Sequence, residues 1–256
     1  MPSRFPRPGL AVLLLAAAAC SGGGEKAAAP ATPPANAQRV DAATAGTIVG
    51  RVALDGEAPA NPPMKMSGDP LCGEAGGAAF ENYVVKDGGL DNVFVYVKDG
   101  LGDYYFDVPA EPAKLDQQGC RYVPHVLGVR VGQPIEITNS DETTHNVHSL
   151  PNVNREFNFA QFVKDQKDIR TFTAPEVMVR LKCDLHGWMS AYVGVVEHPY
   201  FAVTTDGGKF ELKGLPPGEY TIETWHEKAG TQTRKVTIGP KETKEIGFTY
   251  QAASAN

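Results

Sequence analysis

The sequence predicts an all-β protein, and three observations carry that reading. Glycine and proline supply 27 and 20 of the 256 residues, well above their usual combined share of about 12 per cent, as expected of many short strands joined by turns. Apolar and polar residues alternate in short runs closed by Gly, Pro, Asn or Asp, the period of a half-buried strand. No long segment carries the apolar period of an amphipathic helix.

The chain opens with a basic stretch, Met1-Pro2-Ser3-Arg4-Phe5-Pro6-Arg7, and an apolar run over 10–19. At about ten residues that run is too short to span a bilayer and reads as the core of an export signal. It ends at Ala17-Ala18-Ala19-Cys20, which resembles a bacterial lipobox with Ala17 where Leu is more usual. The resemblance implies that Cys20 is lipidated and anchors the exported chain to a membrane. A plain signal sequence followed by a free cysteine is the alternative. From 21 to 45 the chain is Ala, Pro, Gly and Thr with few large apolar residues. It buries too little surface to offset its ordering entropy, so it reads as a tether of roughly 3 Å per residue at full extension. Without Arg4 and Arg7 the exported chain has 22 basic and 30 acidic residues, a net charge of −8, which excludes nucleic acid as a partner class.

The first strand is Thr47-Ile48-Val49-Gly50-Arg51-Val52-Ala53-Leu54, closed by Asp55-Gly56. A loop rich in Pro and Gly follows over 58–79 and contains Cys72, Met64 and Met66; the two methionines have no His or Cys beside them and read as packing. Asn92-Val93-Phe94-Val95-Tyr96-Val97-Lys98 is a second clear strand.

The chemistry lies in two stretches. His145-Asn146-Val147-His148 follows the strand Ile135-Glu136-Ile137-Thr138 and the turn Asn139-Ser140-Asp141. Cys183-Asp184-Leu185-His186-Gly187-Trp188-Met189 follows Val177-Met178-Val179-Arg180-Leu181-Lys182, a strand whose Val177, Val179, Leu181 and Cys183 share one face. Thiolate, imidazole and thioether are the donors of a trigonal His2Cys copper centre with a weak axial Met. Three of them recur at intervals of three, and an imidazole comes from 38 residues upstream. Taken singly, a buried Cys, a core Met and a turn His are ordinary; jointly, donor type, order and spacing agree. Zinc takes His and Cys as well, but thioether is a poor donor to it.

These residues resemble the type 1 copper proteins, the cupredoxins, and among them the amicyanin and plastocyanin types. Gly132-Gln133-Pro134-Ile135-Glu136-Ile137-Thr138-Asn139 resembles the strand before the first ligand, and Val193-Gly194-Val195-Val196 the strand that closes the ligand loop. The likeness covers about 120–197. It implies a Greek-key β-sandwich and one copper ion held by His145, Cys183, His186 and Met189. It also implies that Asn146 ties the two ligand loops together, that the edge of His186 lies near the surface, and that Trp188 belongs to an apolar docking patch. His148 remains the reserve for the first ligand, because residues three apart on a strand face opposite ways.

With Cys20 assigned to lipid and Cys183 to metal, Cys72 and Cys120 remain as an even pair in an oxidising compartment and are expected to be bridged.

After 197 the sequence runs strand, turn, strand: Asp206-Gly207-Gly208-Lys209-Phe210, then Leu215-Pro216-Pro217-Gly218-Glu219-Tyr220. This resembles the carboxypeptidase regulatory-like, or transthyretin-like, β-sandwich, with one extra residue after the Asp-Gly turn. That likeness speaks to fold and not to activity. His198, His226 and Glu227 offer donors for an additional metal site but read as surface or interdomain hydrogen-bonding groups, isolated His seldom being ligands, and His125 has no evident partner. The expected organisation is 1–19 signal, 20–45 tether, 46–197 copper-binding sandwich with an N-terminal extension, 198–250 second sandwich and 251–256 tail. Gly46 to Leu54 also resembles the first strand of such regulatory-like modules, so strand 46–54 suits either sandwich.

The function expected is outer-sphere electron transfer to a redox partner protein by a membrane-anchored carrier that is no enzyme and takes no small-molecule substrate. A copper-handling lipoprotein and a metal-free scaffold of two sandwiches are the alternatives.

Overall fold

The computed structural model of the protein describes residue 1 and residues 37–74 and 78–252; the signal segment, Cys20, most of the tether and the tail from 253 lie outside the described residues. In chain order the N-terminal part carries β1 (Gly46–Asp55), α1 (Pro70–Glu74), β2 (Val85–Lys86), β3 (Gly89–Leu90) and β4 (Phe94–Asp99). The central part carries β5 (Ala113–Gln117), β6 (Tyr122–Val123), β7 (Val126–Arg130), β8 (Pro134–Asn139), β9 (His145–Leu150), β10 (Asn158–Gln161), β11 (Lys167–Thr171), β12 (Glu176–Lys182) and β13 (Ser190–Val196). The C-terminal part carries β14 (Phe201–Val203), β15 (Lys209–Leu215), β16 (Gly218–His226), β17 (Gly230–Ile238) and β18 (Thr243–Gln251). The fold is all-β, as the residue pattern predicts.

Four sheets form two sandwiches. In the first, β10-β9-β12-β13-β7 faces β11-β8-β5-β6, and Leu115, Ile135, Ile137, Val147, Val179, Leu181 and Val193 fill the space between them. In the second, β15-β1-β3-β2, with β18 also paired to β1, faces β14-β4-β16-β17 around Ile48, Val52, Val95, Phe210, Leu212, Ile222, Ile246 and Phe248.

The chain passes from the first sandwich to the second between β13 and β14, next to the boundary expected at 197/198, but the expected start of the first sandwich at 46 does not hold. β1 runs parallel to β18 from Thr47 to Asp55 and antiparallel to β15, and β4 pairs with β14 and β16. The first sandwich is therefore inserted between β4 and β14, two neighbouring strands of the second. The physical reason lies in burial: Ile48, Val52 and Leu54, on one face of β1, are buried in the core built by C-terminal strands. Insertions are tolerated where the two ends of the inserted domain lie close together.

Along β12 the expected face holds for Val179, Leu181 and Cys183, all buried in the first core. Val177 departs, because a register irregularity between Glu176 and Val179 turns it to a separate cluster with Phe94, Tyr96, Val126 and Val196. That cluster is the seam between the sandwiches. Gly128 on β7 and Gly194 on β13 lie side by side beneath Phe94, and the Phe201 ring covers Gly128. A Cβ at Gly194 would stand 2.5 Å from Phe94 Cζ. His125 joins the seam by a hydrogen bond between its Nε2 and Glu227 Oε1 (2.6 Å), and Tyr192 donates its hydroxyl to the same carboxylate. His226 is buried, with Nδ1 accepting the Ala229 N–H, and Met66 is buried in the first core.

Gly194→Ala is expected to destabilise the protein by about 1–3 kcal/mol, the range for overpacking a filled interior. Urea unfolding with an unchanged midpoint would show that the seam is loose.

Candidate metal centre

The first sandwich carries all four residues that the sequence singles out, and brings the side chains of His145, Cys183 and His186 together. His145 opens β9, Cys183 follows the last residue of β12, and the loop from Cys183 to Met189 leads into β13. Its turn is closed by two backbone bonds, Met189 N–H to His186 O (2.8 Å) and Cys183 N–H to Met189 O (3.3 Å). His145, Cys183, His186 and Met189 are all buried, His186 being the most exposed at 5%.

The ring atoms converge. His145 Nδ1 lies 2.9 Å from His186 Nδ1, and Cys183 Sγ lies 3.8 Å from His186 Nδ1. One donor atom from each of these three residues falls within 4.8 Å of the others. His148 is not among them. It turns to the other face of β9, where Nδ1 meets Asp184 and Nε2 meets Glu156.

Asn146 spans both ligand segments. Its Oδ1 accepts the Asp184 N–H (2.6 Å) and the Cys183 thiol (3.2 Å), and its Nδ2 donates to Asn158 (2.8 Å) and to Asp184 Oδ2 (3.2 Å). Tyr122 donates its buried hydroxyl to the Asn146 carbonyl at 2.6 Å, which fixes the start of β9.

Cys72 and Cys120 are bridged, with Cα atoms 5.6 Å apart. By the chain-entropy model, closing a loop of this length contributes on the order of 4 kcal/mol. The bridge also brings α1 onto the donors: Cys72 Sγ lies 3.9 Å from His186 Nε2. Two carboxylates then complete the surroundings. Asp141 Oδ2 faces His145 Nε2 at 2.9 Å while the two Asp141 oxygens accept the N–H groups of Gly119 and Cys120. Asp69 Oδ2 faces His186 Nε2 at 3.1 Å.

The edge of His186 is therefore not at the surface, which corrects the expectation drawn from the resemblance. The covering segment around α1 lies against it, a segment outside the stretch that the resemblance spans. Trp188 is half-buried, its ring tilted against His186 at 5.0 Å between centroids and its Nε1 donating to Cys120 O. Leu185 of the same loop is exposed.

Asp69 and Asp141 were not among the residues marked by pattern. Asp141 had a signal available, a turn acid four residues before His145. Asp69 had none beyond its place three residues before a cysteine.

The charges follow from this geometry. Burial disfavours an imidazolium at His145, but Asp141 and Cys183 outweigh it and raise the ring to about 9. Burial and the neighbouring His145 charge push His186 down. Burial works against a thiolate at Cys183, yet hydrogen bonding with His145 and Asn146 brings it below its ordinary value. One proton thus resides at His145 when no cation replaces it.

The donor set fits copper. Two imidazole nitrogens, one thiol of lowered pKa and a buried thioether are borderline and soft donors, with no carboxylate among the inner atoms. Each imidazole has its outer nitrogen on a carboxylate, the arrangement that orients metal-binding histidines. Both outer triads, Asp69 with Cys72 and His186, and Asp141 with Cys120 and His145, use sulfurs already committed to the disulfide.

No protein-family model matches the sequence, and no curated protein matches it. Solved structures are similar over about a third of the chain. A copper-containing nitrite reductase from Thermus scotoductus is 21% identical over 35% of this chain, at a TM-score of 0.30; the match spans 23% of that enzyme's length. A purple cupredoxin from Nitrosopumilus maritimus is 21% identical over 32% of this chain and 98% of its own (TM-score 0.29). The Cu(I) form of an amicyanin variant is 27% identical over 34% and 85% (TM-score 0.31).

Because His145 holds its proton up to about pH 9, that proton must leave before Nδ1 can donate to a metal. Affinity is expected to fall by up to tenfold for each pH unit below about 9, per proton displaced. Copper titrations in weakly buffered solution should release at least one proton per ion at pH 7.5. An affinity constant between pH 6.5 and 8.5 would contradict this charge assignment.

Proposed function

We propose that the chain is an exported copper protein that carries single electrons, with one ion held by His145, Cys183, His186 and Met189. One observation carries the reading: two buried imidazole nitrogens face each other at 2.9 Å, each ring having its outer nitrogen on a carboxylate. With both N–H groups turned outward, the inner lone pairs repel unless a proton or a cation lies between them.

Bound there, copper supplies a one-electron redox couple. The chain's own residues supply the setting. Asn146 holds the Cys183 loop against β9, Asp69 and Asp141 orient the rings, and the Cys72–Cys120 bridge pins the cover. Donors fixed from so many directions resist displacement when the ion's charge changes, which suits electron transfer better than a reaction that needs an opening for substrate. Lipidation of Cys20, outside the described residues, would tether this carrier to a membrane and let it reach a redox partner protein.

The exported protein loaded with Cu(II) is expected to show an intense visible thiolate-to-copper band and a reversible one-electron wave. Cys183→Ser and His145→Ala should each abolish the band, and His148→Ala should retain it. Bleaching by His148→Ala alone would reassign the first ligand. Binding without any such band, or rapid loss of the ion to a chelator, would favour metal handling over electron transfer.

A further inference from the structure

His145, Cys183, His186 and Met189 are all buried, and the covering segment lies against the His186 edge. An ion therefore needs another way in. Between the covering segment and the first sandwich lies a narrow cavity of about 20 Å³ with Met189 in its wall, enough for one water molecule or one ion stripped of water. We propose that this cavity is the entry route for Cu(I), with the Met64 thioether handing the ion on to Met189. The inference rests on the metal-binding reading above and deepens it by naming the oxidation state taken up and the way it enters.

The chemistry of the wall suits a soft ion. Met64 comes from the covering segment and Met189 from the ligand loop, so the cavity has a thioether on either side. The polar groups of the sandwich side are committed elsewhere. Tyr122 donates its hydroxyl to Asn146 O and Trp188 its Nε1–H to Cys120 O, while the ring nitrogens of His125 meet Ser190 O (3.2 Å) and Glu227 Oε1 (2.6 Å). Beside Met189 a passing cation therefore meets thioether and aromatic faces. Thioether selects Cu(I) among the biological metals, and a ring face attracts a cation that has shed its water.

Met64 is placed by backbone bonds. Its N–H donates to Ala78 O (2.8 Å) and the Phe80 N–H donates to Pro62 O (3.0 Å), a short antiparallel pairing that sets the side chain against the first core. The side chain is half-buried, and an unbranched thioether is flexible enough to follow an ion. At the outer end of the cavity Arg121 Nη1 faces Glu81 Oε1 at 3.4 Å, with 38% and 37% of the two side chains exposed. A pair so long and so exposed contributes little. It parts readily, and Glu81 then presents a carboxylate that draws a cation to the mouth.

A donor used only in transit leaves its own kinetic mark. Met64 meets the ion on its way and not at rest, so losing its sulfur raises the barrier to entry and exit alike and leaves the end states where they were. Uptake and release slow together while affinity holds. A ligand of the resting ion would lower affinity instead, and a side chain that only packs would change neither.

The test supplies Cu(I), as its bicinchoninate complex, to the exported protein without metal. Stopped-flow absorbance of the thiolate-to-copper transition in the ultraviolet reads uptake, excess bicinchoninate reads release, and the equilibrium between the two reads affinity. Met64→Leu, close in volume and free of sulfur, is expected to slow uptake and release by about tenfold each, the effect of a higher barrier, with affinity held within about twofold. Arg121→Ala clears the mouth and should speed both. Unchanged rates in Met64→Leu would overturn the proposal, and so would a tenfold loss of affinity, since Met64 would then be a ligand of the resting ion. Rates no faster in Arg121→Ala would place the mouth elsewhere and overturn the route. Ag(I), a soft ion that does not change charge here, should also shift the Met64 signal in carbon-13 NMR of methyl-labelled methionine; an unmoved signal counts against entry past that side chain. Should the unsubstituted protein take up no copper, the metal reading fails, while the Ag(I) response of Met64 still decides whether the cavity admits a soft cation.

Discussion

Two imidazoles turned inner edge to inner edge in a dry interior are the constraint that the neighbouring structure answers. Facing nitrogen lone pairs repel, and in a low-dielectric interior the repulsion is poorly screened. The proton on His145 relieves that repulsion by lying between the two inner nitrogens, and each ring is also held from behind. Asp141 does this for His145 and Asp69 for His186. The rings are therefore oriented by groups at their outer edges, and residues remote in sequence become part of the surroundings.

That demand explains why the covering segment is stapled. It leaves the second sandwich at the end of β1, passes over the end of the first sandwich that carries His145 and His186, and returns to the second at β2. Among its described residues the only helix or strand is the five-residue α1, too short to be stable alone. The disulfide supplies the order that local backbone bonding cannot, and Asp69 lies three residues from the bridged Cys72. A β-sandwich needs no such loop for its own core. The loop makes sense as a part that one sandwich lends to the other.

Much of this was legible in the residues. Donor identity and spacing singled out His145, Cys183, His186 and Met189, because sulfur and imidazole at those intervals have few other uses in one place. The alternation of β12 placed Cys183 in the interior, and cysteine pairing by elimination reached Cys72 and Cys120. What failed was adjacency between distant strands. β1 carries the same alternation whichever sandwich it joins, so nothing local said that it would run parallel to β18 across some two hundred residues. The closed edge of His186 was hidden for the same reason: the resemblance begins near 120, and the cover comes from before it.

An inserted domain usually owes its scaffold little more than closely spaced ends. Here the dependence runs deeper. A fragment beginning at β5 would keep the sandwich and all four sulfur and imidazole donors, yet lose Asp69 and leave Cys120 without its partner. It would also uncover Gly194, over which Phe94 now lies. The donor set would be intact in composition, but His186 would lose the carboxylate that faces its outer nitrogen. Composition alone therefore does not define this centre; the outer-edge carboxylates do as much, and one of the two reaches it on the loop between β1 and β2.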